Sequence, residues 1–275
     1  MKNIDKKVIN DFGKEWKAFN QSDLDLKELN ELFNNYFNIF PFNQIGKKSI
    51  GFDMGCGSGR WSKIIAPKVK KLNCLDPSYY ALEEAKKNLK KFNNCKFFNS
   101  DVMSNELENN SQDFGYCLGV LHHISDTKGG LKNCTNKLKK GAPFLLYLYY
   151  NFDNKPFWFK AIWKISDLFR KIISKLPFKL KILITTIIAM CIYWPLARLS
   201  YIIEKLGYDV SNMPLSSYKK VSFYTMKTDA LDRFGTKLEK RFTKIQIVEM
   251  MKESGLINIK FNNKSPFWVA VGEKN

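Results

Sequence analysis

At 275 residues, with 45% hydrophobic and 15% aromatic side chains, the chain can bury a sizeable core, which excludes an intrinsically disordered protein and suits one α/β domain with an elaboration. The formal charge of +19 suggests an acidic partner such as nucleic acid, anionic lipid or a phosphorylated substrate, but lysine far outnumbers arginine and asparagine is abundant, as in AT-rich coding sequences, so charge alone names no substrate. The six cysteines, Cys56, Cys74, Cys95, Cys117, Cys134 and Cys191, lack any C-x-x-C pairing and read as small reduced core residues, so neither disulfides nor a metal site is expected.

Residues 1–46 have helical spacing, with Phe12, Trp16 and Phe19 at i, i+4 and i+7, and Leu26, Leu29, Leu32, Phe33, Tyr36 and Phe37 continuing the pattern. They predict an N-terminal helical lid. The stretch Met1–Lys7 has no apolar run, so no secretory signal is expected and a cytoplasmic location follows, with a peripheral position at the inner membrane face as the alternative.

From residue 47 to 150 strand and helix patterns alternate, the mark of a parallel, doubly wound sheet. The apolar run Ser49–Phe52 reads as a strand, Gly55, Gly57 and Gly59 as a tight turn, and Arg60 to Val69 as the first helix. Lys71–Asp76 is a second strand ending in a carboxylate, followed by a helix from Ser78 to Phe92. An acid ending the second strand of such a sheet can accept hydrogen bonds from both ribose hydroxyls of a nucleoside ligand. It can also cap the next helix, since Pro77 suits a helix start, and both roles can coexist. Lys96–Asn99 is a third strand, followed by Asp101 and Val102, where the acid is either a ligand contact or an ordinary turn or capping residue. A fourth strand from Asp113 runs into Leu118, Gly119, Val120, Leu121, His122 and His123, the only two histidines of the chain. A histidine of near-neutral pKa suits general-base work, and either of the two is a candidate. Leu131–Leu138 forms the next helix, and Ala142–Tyr150 is an apolar fifth strand, as a central parallel strand should be.

Residues 151–241 then intervene before the last elements. Insertions at this edge usually carry acceptor recognition. Between 151 and 205 there are eight lysines and two arginines against three acids, a net of +7, and Ile182–Leu199 is the most apolar stretch of the chain. Thr185, Thr186, Pro195 and Arg198 interrupt it, so a membrane span is not expected. It is either a buried cap helix roofing the pocket or a segment, 175–200, in peripheral contact with membrane. Ser222–Thr236 reads as an irregular segment forming an acceptor wall, with Tyr224 or Asp229 as a candidate base and Arg233 and Arg241 as clamps for an anionic group; a salt-bridged connector is the alternative. Tyr150 and Asp153 are further candidates for acceptor contact. Thr243 and Gln246 form a capping box opening a helix that Gly255 ends, and two strands, Ile257–Phe261 and Phe267–Val271, close the chain.

The pattern Asp53-Met54-Gly55-Cys56-Gly57-Ser58-Gly59, D-x-G-x-G-x-G, differs from the G-x-G-x-x-G of dinucleotide sites and resembles motif I of the class I S-adenosylmethionine (SAM) methyltransferases. Asp76, Asp101 and Gly119–His123 extend the resemblance over roughly residues 47–150, and the helix, glycine and hairpin at the C-terminus resemble the ubiquinone-type, small-molecule group. The fourth strand lacks the [DN]-P-P-[YF] sequence of many methyltransferases acting on nucleobase or amide nitrogen. The resemblance implies a Rossmann-like, doubly wound, mostly parallel seven-stranded sheet with N-terminal helices and a mainly helical cap insertion. It divides the chain into a lid (1–46), a SAM-binding core (47–150), a capping insertion (151–241) and a C-terminal completion of the core (242–275). It further implies SAM as cofactor, with Asp53, Gly55, Cys56, Gly57 and Gly59 at its amino-acid end, Asp76 and Pro77 at the ribose, Asp101 and Val102 at the adenine, and Leu118 and Gly119 near the methyl group. The expected reaction is methyl transfer to an oxygen of a small-molecule, glycan or lipid-linked acceptor. RNA methylation using the basic surface, and SAM binding without catalysis, are the rival readings.

Overall fold

The structure, a computed structural model, describes residues 6–21 and 24–275; the very start of the expected lid, and most of the N-terminal stretch read for a secretory signal, lie outside the described residues. The chain forms two compact units.

The first unit holds α1 (Lys6–Ala18), Leu29–Asn151 and Leu238–Asn275. Its seven-stranded sheet has the order β3-β2-β1-β4-β5-β7-β6, from β1 (Ile50–Met54), β2 (Lys71–Leu75), β3 (Cys95–Phe98), β4 (Phe114–Leu118), β5 (Pro143–Tyr147), β6 (Leu256–Phe261) and β7 (Val269–Lys274). The first five strands pair in parallel, and β7 enters antiparallel between β5 and β6. This is the doubly wound, mostly parallel seven-stranded sheet that the resemblance implies. Its order reverses between β1 and β4, which is where ligands bind in such sheets, outside the carboxyl ends of the strands. At that junction two glycines let two phenylalanines interlock: a Cβ on Gly51 would fall 2.3 Å from the Phe114 ring, and one on Gly115 would fall 2.3 Å from the Phe52 ring. A Gly115→Val variant therefore forces the fully buried Phe52 out of its place. Overpacking of this kind costs about 1–3 kcal/mol, so a melting midpoint lower by roughly 3–10 °C is expected in a thermal scan.

The helices of this unit are α2 (Leu26–Phe37, from Leu29 on), α3 (Ser62–Ile65), α4 (Tyr79–Asn88), α5 (Thr127–Asn136) and α10 (Lys244–Glu253). The first crossover helix is shorter than expected, because Pro67 has no N–H to continue it and the chain tightens to a 3-10 turn over Ala66–Lys68. Ser78, not Asp76, caps α4, its hydroxyl accepting from the Ala81 N–H, so that capping duty does not consume the Asp76 carboxylate. The expected capping box at Thr243 and Gln246 is complete.

The second unit comprises Phe152–Lys237 and a short piece ending at Glu28. It contains α6 (Phe157–Ile173), α7 (Phe178–Ile188), a π-helical turn over Ala189–Tyr193, α8 (Trp194–Lys205) and α9 (Phe223–Gly235). The expectation of an irregular segment at Ser222–Thr236 is corrected: it is a regular helix. Met226, Ala230 and Phe234 at i, i+4 and i+8 form its buried face, a helical stripe hidden by the neighbouring threonines and acids. Ser222 caps it, and the Glu28 carboxylate, accepting from the Ser222 N–H at 2.9 Å and the Thr225 hydroxyl at 2.6 Å, anchors its first turn.

Candidate active site

The glycine loop leaves β1 and is tied down at once to β2, the N–H groups of Gly55 and Cys56 both donating to the Leu75 carbonyl at 2.8 and 3.0 Å. Gly55, Gly57 and Gly59 all have positive φ, and a Cβ at Gly57 would fall 2.8 Å from the Trp16 indole. Only glycine keeps this loop in place beneath α1.

Asp76 stands at the carboxyl end of β2, its carboxylate accepting from the Gly57 N–H at 2.9 Å and the Ser78 N–H at 2.8 Å. Burial pushes its carboxyl up to about 6, against the two backbone donors that favour the charged form. Those donors leave lone pairs on both oxygens, as a ribose diol requires. Asp53 lies deeper, accepting from the Ser62 hydroxyl at 2.7 Å, and burial lifts its carboxyl to about 7. It underpins the loop.

Across the junction, Leu118 ends β4 and Gly119 turns away at a positive φ of 79°, donating its N–H to the Tyr147 carbonyl at 3.1 Å. A Cβ at Gly119 would meet nothing within 4 Å, so there is open space above the end of β4. Val102 is buried in the core. The Asp101 carboxylate closes its own turn, accepting from the N–H groups of Met103 and Ser104. Cys56 is buried, and Pro77 simply links Asp76 to the Ser78 cap. Sequence reasoning did not assign Arg60 a role. Its guanidinium lies 5.8 Å from the Trp16 ring and 5.2 Å from the Trp61 ring, with a buried Nε that has no hydrogen-bond partner among the described residues. Its position directly after Gly59 was the available signal.

The two histidines differ. His122 is fully buried, stacked on Tyr149 at 3.8 Å, its Nδ1 accepting from the Tyr149 N–H at 3.4 Å. That places its proton on Nε2. Burial holds its pKa well below the usual histidine range, so it is neutral. His123 pairs its Nδ1 with the Leu238 carbonyl at 2.7 Å, which requires the proton on Nδ1 and leaves the lone pair on Nε2. Phe12 packs 5.1 Å from its ring. Arg241 lies beside this pair, its Nε donating to Glu239 at 2.7 Å and an Nη to the Tyr150 carbonyl at 3.2 Å, with its guanidinium 5.1 Å from the Tyr149 ring. The Tyr150 ring packs against Phe267 and Trp268.

The remaining candidates belong to the second unit. Tyr224, Asp229 and Arg233 lie on α9, Arg233 donating to the Ser166 hydroxyl at 3.0 Å, and Asp153 is exposed.

Residues 52–146 match the family model for a methyltransferase domain. The sheet core of this chain carries a methyltransferase domain. No curated protein sequence matches it. Among solved structures, an O-methyltransferase family protein from Burkholderia thailandensis superposes with a TM-score of 0.55 at 11% identity, over 94% of this chain and 59% of that protein. A proposed methyltransferase from Bacillus halodurans gives a TM-score of 0.51 at 12% identity, over 83% of this chain and 71% of that one. At these identities the likeness is one of fold. The residues of this domain fit SAM: a glycine cradle, an acceptor carboxylate at the end of β2, a cation with a spare donor beside the loop and open space over Gly119.

Proposed function

We propose that this methyltransferase binds SAM through the glycine loop, Asp76 and Arg60 and transfers its methyl group to a hydroxyl oxygen of a small-molecule, glycan or lipid-linked acceptor. The bound sulfonium would supply an electrophilic methyl group. Asp76 would hold the ribose hydroxyls, Arg60 would meet the carboxylate of the amino-acid end, and the space above Gly119 would admit the methyl-bearing sulfur. The acceptor oxygen must shed a proton as it attacks, and His123, held through Nδ1 by the Leu238 carbonyl, is the base favoured over His122, whose Nδ1 already accepts from the Tyr149 N–H.

The observation that carries this reading is the positive-φ glycine loop after β1 with the Asp76 carboxylate beside it at the end of β2. The test is transfer of radiolabelled methyl from SAM to panels of phenolic, glycan and lipid-linked hydroxyl acceptors, with wild type beside His123→Ala and His122→Phe. Loss of a general base costs about 100-fold or more in kcat. His123→Ala should show that loss, shallowest at high pH where the acceptor ionises unaided, with cofactor affinity retained. His122→Phe should lower the melting midpoint more than kcat. Equal losses in both variants at every pH would remove His123 from the proton path.

A further inference from the structure

The geometry points to a lipid-docking surface on the second unit: the outer faces of α6 and of the rod formed by α7, the π-helical turn and α8 lie on an anionic membrane leaflet. Both partly invert the pattern of a water-soluble helix: polar side chains lie on the buried side among apolar ones, and large apolar side chains face solvent. On α6 the buried side carries Ser166 and Arg170, the latter bound to Asp167 and to the Thr236 and Lys237 carbonyls. Its solvent side carries Trp158, Ile162, Ile165, Phe169 and Ile172, at i, i+4, i+7, i+11 and i+14, each between 39% and 59% exposed apart from Ile165 at 62%. The rod repeats the inversion. Lys181, Thr185 and Ser200 are buried, the Lys181 ammonium donating to the Gly235 carbonyl at 2.9 Å, while Leu180, Leu183, Ile187, Met190 and Trp194 face outward at 45–56% exposure. Apolar faces of this extent mark contact surfaces.

Three observations choose lipid as the occupant. Phe178–Lys205 is long and apolar enough to cross a membrane, and bilayer is the medium that such an outward face matches. Its inner side, however, packs on α9 through Ala189, Tyr193 and Ala197, so lipid cannot surround it. α6 carries Lys160, Lys164, Asp167, Arg170 and Lys171, which bars it from a hydrocarbon core. Both helices therefore lie in the interfacial plane, where a Trp- and Ile-rich face with lysine borders binds. The charge is the third observation. Asp167 and Glu204 are neutralised by Arg170, Lys171 and Lys219, while Lys164, Lys175 and Lys179 are exposed along the apolar faces. A second copy would bring like charge against like; an anionic leaflet is complementary, each lysine near it favouring binding about fivefold. Docking also selects the lipid-linked class among the acceptors proposed above. That selection rests on the methyl-transfer reading, whereas docking itself does not.

The test is flotation of the purified full chain with vesicles of pure phosphatidylcholine and of phosphatidylcholine containing one-third phosphatidylglycerol. Wild type should float with the anionic vesicles and several-fold less with the neutral ones. The pair Ile165→Asp and Ile187→Asp should cut binding about tenfold, with melting midpoint and SAM affinity unchanged, since both side chains already face solvent. Lys164→Glu, Lys175→Glu and Lys179→Glu together should abolish the preference for anionic lipid. Failure of wild type to float with either vesicle would overturn the proposal. So would a discrete dimer in sedimentation that the aspartate pair converts to monomer, or resistance of the membrane-bound protein to alkaline carbonate, which would indicate a span. Flotation with no methyl transfer to any acceptor would leave docking standing and count against the enzymatic reading alone.

Discussion

Replacing Asp76 by alanine should weaken SAM binding about 100-fold or more in isothermal titration. Hydrogen bonds to a charged acceptor contribute about 1.5–3 kcal/mol each, and two ribose hydroxyls would meet this one carboxylate. Even a combined loss near 3 kcal/mol corresponds to about two decades in affinity. The variant also strands the Gly57 N–H, which donates to Asp76 in the native loop, so part of the loss would come from a glycine cradle no longer held in register. Asp76→Asn separates the contributions. Its amide keeps one oxygen and the approximate shape but loses the charge and one acceptor, so an intermediate loss of about tenfold is expected. S-adenosylhomocysteine should follow the same order in both variants, because the ribose is common to both ligands. Binding undiminished in a folded Asp76→Ala protein would move the ribose site elsewhere.

The second large effect is in pH. Asp76 titrates at about 6 and Asp53 at about 7 in the ligand-free protein, both lifted chiefly by burial. A carboxyl that must be ionised to accept two hydroxyls binds its ligand less well once protonated, so SAM affinity should fall as pH drops through about 6, by about tenfold per unit toward pH 5. It should level off above pH 7. Stability of the free protein must run the other way. Because both folded-state values exceed the ordinary carboxylate value, between about pH 4 and 7 the folded state binds more protons than the unfolded state, and stability decreases as pH rises through that window. Asp53 alone sets a ceiling of roughly 4 kcal/mol on that decrease. Melting curves of the free protein from pH 5 to 8 should therefore decline, and Asp53→Asn should flatten them while keeping an acceptor for the Ser62 hydroxyl. Titrations in buffers of different ionisation enthalpy should show proton release on SAM binding near pH 6. Proton uptake would contradict the assignment.

Much of the methyltransferase core is legible in the amino-acid sequence, because its signals are local. Strand one and its glycines are contiguous, the acid after strand two is the residue next to the strand's end, and a capping box spans four residues. Backbone sterics and periodicity act over such distances, and the sheet topology follows from alternating strand and helix patterns. What only the tertiary structure decided depends on neighbours distant in sequence. Asp76 is tied to the Gly57 N–H, nineteen residues earlier, while Ser78 takes the helix cap. The tautomers of His122 and His123 depend on the Tyr149 N–H and on the Leu238 carbonyl, the latter more than a hundred residues away. The helix at Phe223–Gly235 was hidden because its composition is polar and its three-residue apolar stripe matters only once Ile173, Ala189 and Tyr193 pack on it. The inversion of α6 and of the α7–α8 rod was equally out of reach. Hydropathy reports how apolar a stretch is; only packing shows which side of it meets protein, and that Arg170, Lys181 and Thr185 point inward while Ile162, Ile165, Ile172 and Ile187 point out.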